Sequence, residues 1–285
     1  DGHTSSWTYS ISTDTGWKAP AKDVTDLDIN GAIDWSSYHA KAPSKDGNFL
    51  HVVFIAYDDV KSNPNRERFY NPLYDQRVSY NYNLYYLKIN LRTDEVVNTK
   101  GEILQTPIDL TLANSKCRIW NTKWRGGSIV PSIFINENDQ PAFLHVLSDE
   151  TVEDLDYHYV RLENGEWKHA RITDSNHEWN SGHIARSADG ALHAYLITGD
   201  GYFDSDGYMD KHGGGKIEEW TSADEGNTWR KARDLTPDKT KYPGWKYNNI
   251  QAVKRPDGTE VNGMLLFYGW KDKNAPEAKA FLLHE

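Results

Sequence analysis

The feature that most constrains the fold of this chain is a short pattern that recurs four times. Each copy is a turn dipeptide of Asp, Asn and Gly followed, within a few residues, by an apolar run. The turns are Asp46-Gly47, Asn138-Asp139, Asp189-Gly190 and Asp257-Gly258, and the runs begin near Leu50, Leu144, Leu192 and Met264. A turn of this composition between two strand-like runs is typical of a β-hairpin. His145 and His193 are 48 residues apart, about the length of a four-stranded propeller blade.

A second local pattern favours the same architecture. Residues 222–229 read Ser-x-Asp-x-Gly-x-Thr-Trp, which resembles the Asp-box turn of β-propeller blades. We expect Asp224 to accept backbone N–H bonds within its turn and Trp229 to pack between blades. Both residues are therefore interpreted as structural.

The sequence predicts an all-β fold, a β-propeller of four-stranded blades. Four hairpin starts and a leading piece, residues 7–20, which resembles the closing strands of an earlier blade, predict four to five blades in one domain, residues 1–285. No apolar run approaches the roughly 18 residues that a membrane-spanning helix needs, which argues against a membrane partner. The single cysteine, Cys117, excludes an internal disulfide, and the net charge of −10 argues against a nucleic-acid partner.

The charge is distributed unevenly along the chain. Between Asp109 and Glu137 there is no acidic residue, and this gap holds four cations and two tryptophans. They are Lys116, Arg118, Trp120, Lys123, Trp124 and Arg125. Cations pair with sulfate or carboxylate and tryptophan stacks on pyranose rings, so the segment favours an acidic sugar as ligand. The alternative is a solvated loop with two core tryptophans.

A long insertion, residues 57–82, separates two strand-like runs of one repeat. Long loops on a rigid scaffold often carry function, and this one holds Arg66 and Arg68 among several tyrosines. We interpret the two arginines as groups that neutralise a uronate carboxylate or bind substrate. The alternative is a loop whose charges are balanced by its own acidic residues.

Polar residues also stand where the first strand of a blade begins. Because the innermost strands of a propeller begin near one face of the central channel, Tyr38, His39, His183 and Asn248 are candidate substrate-binding residues. His51, His145 and His193 instead share one position in the repeat, which favours a structural role.

An acidic stretch at residues 200–207 contains Asp-x-Asp-Gly, a fragment of a calcium-binding loop. Asp204 and Asp206 are therefore candidate ligands for a structural Ca²⁺, although no Glu stands at the closing position of such a loop, and a solvated acidic turn is the alternative. We expect no cofactor to be required for the chemistry. The glycine triplet at residues 213–215 permits either close approach of a ligand or an unusual turn.

Several segments resemble ulvan lyases of polysaccharide lyase family 24. They are residues 82–88, 140–148, 176–181, 207–215, 242–246 and 267–272. The resemblance extends over nearly the whole chain and implies a seven-bladed propeller that degrades ulvan, a sulfated polysaccharide containing rhamnose and uronate. It implies β-elimination, in which the carboxylate is neutralised, a base removes the C5 proton and an acid protonates the departing oxygen. His and Tyr are the expected base and acid.

The sequence departs from the family pattern at the start of the chain. Residues 1–5 match a loop that opens with an arginine in the family, so we expect that arginine, and the catalytic Tyr and His, upstream of Asp1. The chain is then the C-terminal portion of a longer propeller whose N-terminal part is its partner. On this interpretation His3 lies close to the active site and binds substrate.

The sequence thus predicts a secreted polysaccharide lyase whose partner is an anionic, sulfated polysaccharide. Three alternatives stay open: a glycan-binding propeller without catalysis, a sialidase-like glycoside hydrolase and a protein-interaction scaffold. No Arg-Ile-Pro type motif precedes the first full blade, which argues against the sialidase-like hydrolase.

Overall fold

In the computed structural model, most of the described residues form β-strands. The described residues are 6–18, 21–27, 36–58, 80–122, 127, 132–148, 155–175, 177, 180–199, 213–256, 258–271 and 277–284. In this part of the chain, the helical segments are a three-residue α-helix, Leu110–Leu112, and a short π-helix, Ala113–Cys117. None of the described helices is long and apolar enough to cross a membrane.

The structure divides into two compact units. The first comprises Asp1–Phe143, Leu147–Glu153 and Val160–Lys168, and the second comprises Leu144–Val146, Asp154–Tyr159 and His169–Glu285.

The first repeat forms an antiparallel sheet whose central strands are buried on both faces. Its strands, in sheet order, are β5 (Ser36–Pro43), β6 (Phe49–Asp58), β7 (Tyr80–Asn90) and β8 (Val96–Val97), with β9 (Arg118–Trp120) also paired to β7. Side chains alternate across a strand, so Val52 and Phe54 enter one core cluster while Val53 and Ile55 enter another. The chain turns between β5 and β6 at Gly47, whose φ of 70° suits glycine.

Two further repeats each form a four-stranded antiparallel sheet with strands in sequence order. The first contains β10 (Ser132–Ile135), β11 (Pro141–Ser148), β12 (Leu155–Glu163) and β13 (Glu166–Asp174). The second contains β14 (Gly182–Arg186), β15 (Leu192–Thr198), β16 (Lys216–Ser222) and β17 (Arg230–Asp234). In both sheets the first two strands are the hairpin that the repeated turn predicts.

The last repeat shows three antiparallel strands, β18 (Lys246–Lys254), β19 (Glu260–Trp270) and β20 (Ala278–His284). Residues near the start of the chain form two small sheets, β1 (Trp7–Tyr9) with β4 (Lys22–Thr25) and β2 (Ser12–Thr13) with β3 (Gly16–Trp17). Successive four-stranded meanders are the blades of a β-propeller, so the predicted fold class is confirmed.

The Asp-box turn has the predicted geometry. Asp224 accepts hydrogen bonds from the backbone N–H of Thr228 at 2.9 Å and from its hydroxyl at 2.7 Å. The Trp229 ring packs edge-on against Tyr159 of the preceding sheet, with centroids 5.6 Å apart. These bonds hold the pKa of Asp224 at about 2, below its ordinary value. The turn therefore stabilises the packing of consecutive blades, as predicted.

Candidate functional site

The residues predicted to form the site fall into three groups. His3, Arg66, Arg68, Lys123, Trp124, Asp204 and Asp206 lie outside the described residues. Tyr38, His39 and Arg118 lie in the first unit, and His183 and Asn248 lie in the second. Within the described part of the chain, no group of three or more His, Cys, Asp or Glu is arranged to hold a metal ion. The calcium site at Asp204 and Asp206 stays a prediction.

The strongest constellation lies in the second unit, where β14 and β18 begin. The Oδ1 atom of Asn248 accepts hydrogen bonds from the backbone N–H of Ser181 at 3.0 Å and from its hydroxyl at 3.1 Å. The Ser181 hydroxyl oxygen in turn accepts the N–H of Ile250 at 2.8 Å. Asn248 is only 1% exposed. The starts of these two strands are therefore locked together by buried polar groups.

The backbone carbonyl of Ser181 also accepts a hydrogen bond. The hydroxyl of Tyr157 lies 3.0 Å from the carbonyl oxygens of both Ser181 and Ile197. Burial raises the pKa of Tyr157, so this hydroxyl keeps its proton and remains a donor. The backbone that leads into His183 is thus positioned by groups from two strands, β12 and β18.

His183 is the member of this constellation whose side chain suits acid–base chemistry. Its Nε2 atom lies 3.3 Å from Oε2 of Glu260, and its ring lies nearly parallel to that of Tyr195 with centroids 6.3 Å apart. The hydrogen bond with His183 holds the pKa of Glu260 below its ordinary value. Because a neutral imidazole accepts a proton and a neighbouring carboxylate stabilises the resulting cation, this pair has the composition of a general base. We call Ser181, His183, Asn248 and Glu260 the strand-start cluster.

The glycine triplet lies against protein groups of the same unit. The N–H of Gly214 donates to Oδ1 of Asn180 at 2.7 Å. A Cβ atom at Gly214 would lie 2.4 Å from the Trp270 ring, and one at Gly215 would lie 2.2 Å from the Thr198 carbonyl oxygen. Of the two interpretations of this triplet, the structure supports an unusual backbone packed tightly on its own neighbours.

His39 lies in a different environment, inside the first unit. Its ring stacks between Trp7 and Phe54, with centroids 4.6 and 5.4 Å away, and its Nε2 lies 3.1 Å from the Thr25 hydroxyl. Burial, with a smaller contribution from Lys41, lowers the pKa of His39 to about 3. The ring is neutral at ordinary pH and packs as an aromatic side chain. Its role in substrate binding stays a prediction.

The basic segment between Asp109 and Glu137 is described only in part. Lys116 forms an ion pair with Glu102 at 3.0 Å, so one of its four cations is already partnered within the protein. Arg118 is exposed at the start of β9. Trp120 packs against the core, as the alternative interpretation of this segment holds. Tyr38 is likewise half-buried, edge-on to Tyr57 at 4.9 Å.

Sequence reasoning missed Ser181 and Glu260, because each acquires its role only by contact with a residue far along the chain. It also missed a pocket of about 270 Å³ in the second unit, lined by Lys216, Lys239, Tyr242, Trp245, Lys246 and Tyr247 among others. The Tyr-Pro-Gly-Trp-Lys run at residues 242–246 could have indicated an aromatic turn beside cations.

Comparison with known proteins shows a likeness of fold. No protein-family model and no curated protein matches the chain. The solved structure of an ulvan lyase from polysaccharide lyase family PL25 matches with a TM-score of 0.72 and 17% identity, over 99% of this chain and 60% of that one. The same values hold for an ulvan lyase of that family bound to -[GlcA(1-4)Rha3S]-. The polysaccharide lyase Uly1 matches with a TM-score of 0.52 and 12% identity, over 97% of this chain and 51% of that one.

The chain therefore spans about 60% of the length of the first two solved lyases that it matches. At this identity the likeness establishes a shared fold.

Proposed function

We propose that this protein is a polysaccharide lyase that cleaves a sulfated, uronate-containing polysaccharide of the ulvan type by β-elimination. One observation carries the proposal: 99% of the chain superposes on an ulvan lyase fold that has been solved with a sulfated glucuronate–rhamnose ligand. Shared fold alone does not assign a reaction, so the proposal also depends on groups in the second unit that suit the chemistry.

The proposed chemistry assigns a role to each part of the site. A cation neutralises the uronate carboxylate and makes the C5 proton more acidic. Arg66 and Arg68, which lie outside the described residues, stay the sequence-based candidates for this role. We assign the base to His183, in place of the upstream histidine that the family resemblance implies: His183 removes the C5 proton, and Glu260, 3.3 Å away, stabilises the imidazolium that forms. A second group protonates the departing O4 oxygen, and its identity is left open. The Asn248–Ser181 bonds keep the backbone beside His183 in place.

The proposal also covers the lyase family, the location of the protein and the Ca²⁺ site. Sequence motifs resemble family 24, whereas the solved structures with the higher TM-score belong to family 25, and both groups contain ulvan lyases. We propose an extracellular or periplasmic location, because a polymeric substrate does not cross a membrane intact. A Ca²⁺ held by Asp204 and Asp206 would serve structure and take no part in the elimination.

The test is the appearance of unsaturated uronyl ends. The protein is incubated with ulvan while the ultraviolet absorbance of the new double bond is followed, with carboxyl-reduced ulvan as the control that cannot undergo elimination. We expect absorbance to rise only with the native polymer. Retention on immobilised ulvan without double bonds would indicate a glycan-binding propeller instead. New reducing ends without double bonds would indicate a hydrolase, and both results would overturn the lyase proposal.

A further inference from the structure

A turn in the second unit contributes two aromatic rings to the lining of the 270 Å³ pocket. Residues 242–245 read Tyr-Pro-Gly-Trp, the N–H of Trp245 donates to the carbonyl of Tyr242 at 3.4 Å, and Gly244 has a φ of 75°. Proline followed by a glycine of positive φ is typical of a type II turn. Such a turn brings its first and last residues together, and the Tyr242 and Trp245 rings are 5.4 Å apart.

Lysines surround this aromatic pair. The Lys279 ammonium lies 5.7 Å from the Tyr242 ring centroid and 5.2 Å from that of Trp245, and the Lys241 ammonium lies 5.5 Å from Tyr242. Lys216, Lys239 and Lys246 line the pocket itself. Three lysines therefore line the pocket, and two more lie over its aromatic rings, in a chain whose net charge is −10.

Only part of this positive charge is neutralised by described carboxylates. Lys279 lies 3.3 Å from Glu277, and Lys239 lies at a long 3.9 Å from Asp234. Among the described residues, Lys216 forms no ion pair with a carboxylate. A concentration of like charges costs free energy unless a counter-charge is bound, so the pocket favours an anion.

One of the residues that line the pocket, Tyr247, carries a buried hydroxyl. Tyr247 is 1% exposed and has no hydrogen-bond partner for its hydroxyl within the described part of the chain. Burial, with a smaller contribution from Tyr242, raises the pKa of Tyr247 to about 12, so the hydroxyl keeps its proton.

We propose that this lysine pocket, defined by Lys216, Lys239, Tyr242, Trp245, Lys246 and Tyr247, binds one sulfate- or carboxylate-bearing sugar unit of an anionic polysaccharide. Its volume lies just below the roughly 300–1,000 Å³ of most small-molecule sites, which suits a single ring with its charged substituent. Tyr242 and Trp245 offer apolar faces to the ring and the lysines pair with its charge. Tyr247 and Asn248 are consecutive in β18, so their side chains point to opposite faces of the strand.

The pocket is thus a second binding site, separate from the strand-start cluster. It holds the polymer while another of the polymer's sugar residues reacts. The inference rests on the proposed function for the identity of the polymer, but binding can be measured without catalysis.

The test measures the affinity of ulvan oligosaccharides by calorimetry. The variant Lys216→Gln/Lys239→Gln removes two cations from the pocket. Its matched control, Lys231→Gln/Lys254→Gln, removes the same charge from the same unit at residues that do not line the pocket. We expect affinity to fall at least about tenfold in the first variant and less than about threefold in the control. Lys216→Arg/Lys239→Arg, which keeps both charges, should retain most of the affinity.

Two further arms identify the ligand group and separate this inference from the lyase proposal. Desulfated and carboxyl-reduced oligosaccharides show which anion the pocket binds. Wild type and the Gln variant should have the same affinity for the oligosaccharide from which that anion has been removed. Circular dichroism confirms that each variant is folded. Equal affinities of wild type and the Gln variant for the unmodified oligosaccharide, or no binding of it by the wild type, would overturn the inference. Weakened binding in a protein that forms no double bonds would uphold this site and reject the lyase proposal alone.

Discussion

Asn248 and Ser181 come from different blades, yet the side-chain oxygen of Asn248 accepts both the backbone N–H and the hydroxyl of Ser181, at 3.0 and 3.1 Å. These two hydrogen bonds to one acceptor join the first strands of two consecutive sheets. It also sets the backbone that leads into His183, which pairs with Glu260.

Removing the Asn248 acceptor should therefore destabilise the second unit. Asn248→Ala leaves the partly buried N–H of Ser181 without its partner, and we expect a loss of about 1–3 kcal/mol in the free energy of unfolding. The control is Asn262→Ala, an exposed position in β19, which should change stability by less than about 0.5 kcal/mol. Urea denaturation measures both. Equal effects of the two changes would contradict a structural role for the Asn248–Ser181 bonds.

A pair of glycine substitutions tests the Asp-box packing. Gly226 and Gly190 have φ values of 81° and 90°, but a Cβ at Gly226 would lie 2.3 Å from the Tyr159 ring whereas one at Gly190 meets nothing within 4 Å. Alanine at either position incurs the left-handed backbone cost of about 1–2 kcal/mol. Gly226→Ala should lose about 1–3 kcal/mol more, because the ring must move. Thermal melting of the two variants should separate them, and coincident curves would argue against the contact.

Stability should fall as the pH drops below neutrality, through His145. Burial, with a contribution from His158, lowers the pKa of His145 to about 3 from an ordinary 6.5, so the unfolded chain binds a proton that the folded chain refuses. The folded state then loses about 1.4 kcal/mol per pH unit from pH 6.5 downward, and the loss levels off below pH 3. His145→Leu should make the fall in melting temperature between pH 7 and pH 5 shallower. An unchanged slope would show that this ring does not titrate on unfolding.

His183 should matter for turnover more than for stability. His183→Asn keeps a polar side chain but cannot take up a proton at this position, and we expect ulvan turnover to fall by about 10²-fold or more, with the polymer still bound. Glu260→Gln should lower turnover less, since the carboxylate acts only through His183. His284→Asn, an exposed histidine at the end of β20, serves as control and should leave turnover unchanged. Full activity of the His183 variant would remove it from the proposed mechanism.

The arginines of the long insertion provide an independent test. Arg66→Ala with Arg68→Ala should weaken turnover of ulvan, because the uronate carboxylate would lose its counter-charge. The Lys double variant keeps the charge but loses the bidentate geometry of guanidinium, and it should retain intermediate activity. Steady-state kinetics with ulvan measure both variants. Kinetics unchanged by the Ala pair would place this insertion outside the site.

Much of the fold is predictable because its signals are local. The hairpins at Gly47 and Gly190 follow from turn residues that tolerate positive φ, and the burial of Val52–Ile55 follows from the alternation of side chains in a central strand. The Asp-box indicated the inter-blade packing of Trp229 before the structure showed it against Tyr159. In each case a few consecutive residues contain the whole physical cause.

The candidate site was predictable only in its positions along the strands. The start of an innermost strand identified His183 and Asn248, but the same reasoning also identified His39, which lies stacked between Trp7 and Phe54. Position in a strand does not specify which neighbours surround a ring. Burial and those neighbours decide whether an imidazole titrates or packs.

By itself the amino-acid sequence determined the blade, because turn chemistry and strand alternation act within one repeat. Only the tertiary structure decided which polar groups meet: Ser181 with Asn248, His183 with Glu260, and five lysines around Tyr242 and Trp245. These contacts join residues from separate strands and turns. Their distances depend on how complete sheets pack, and that packing is a property of the folded chain as a whole.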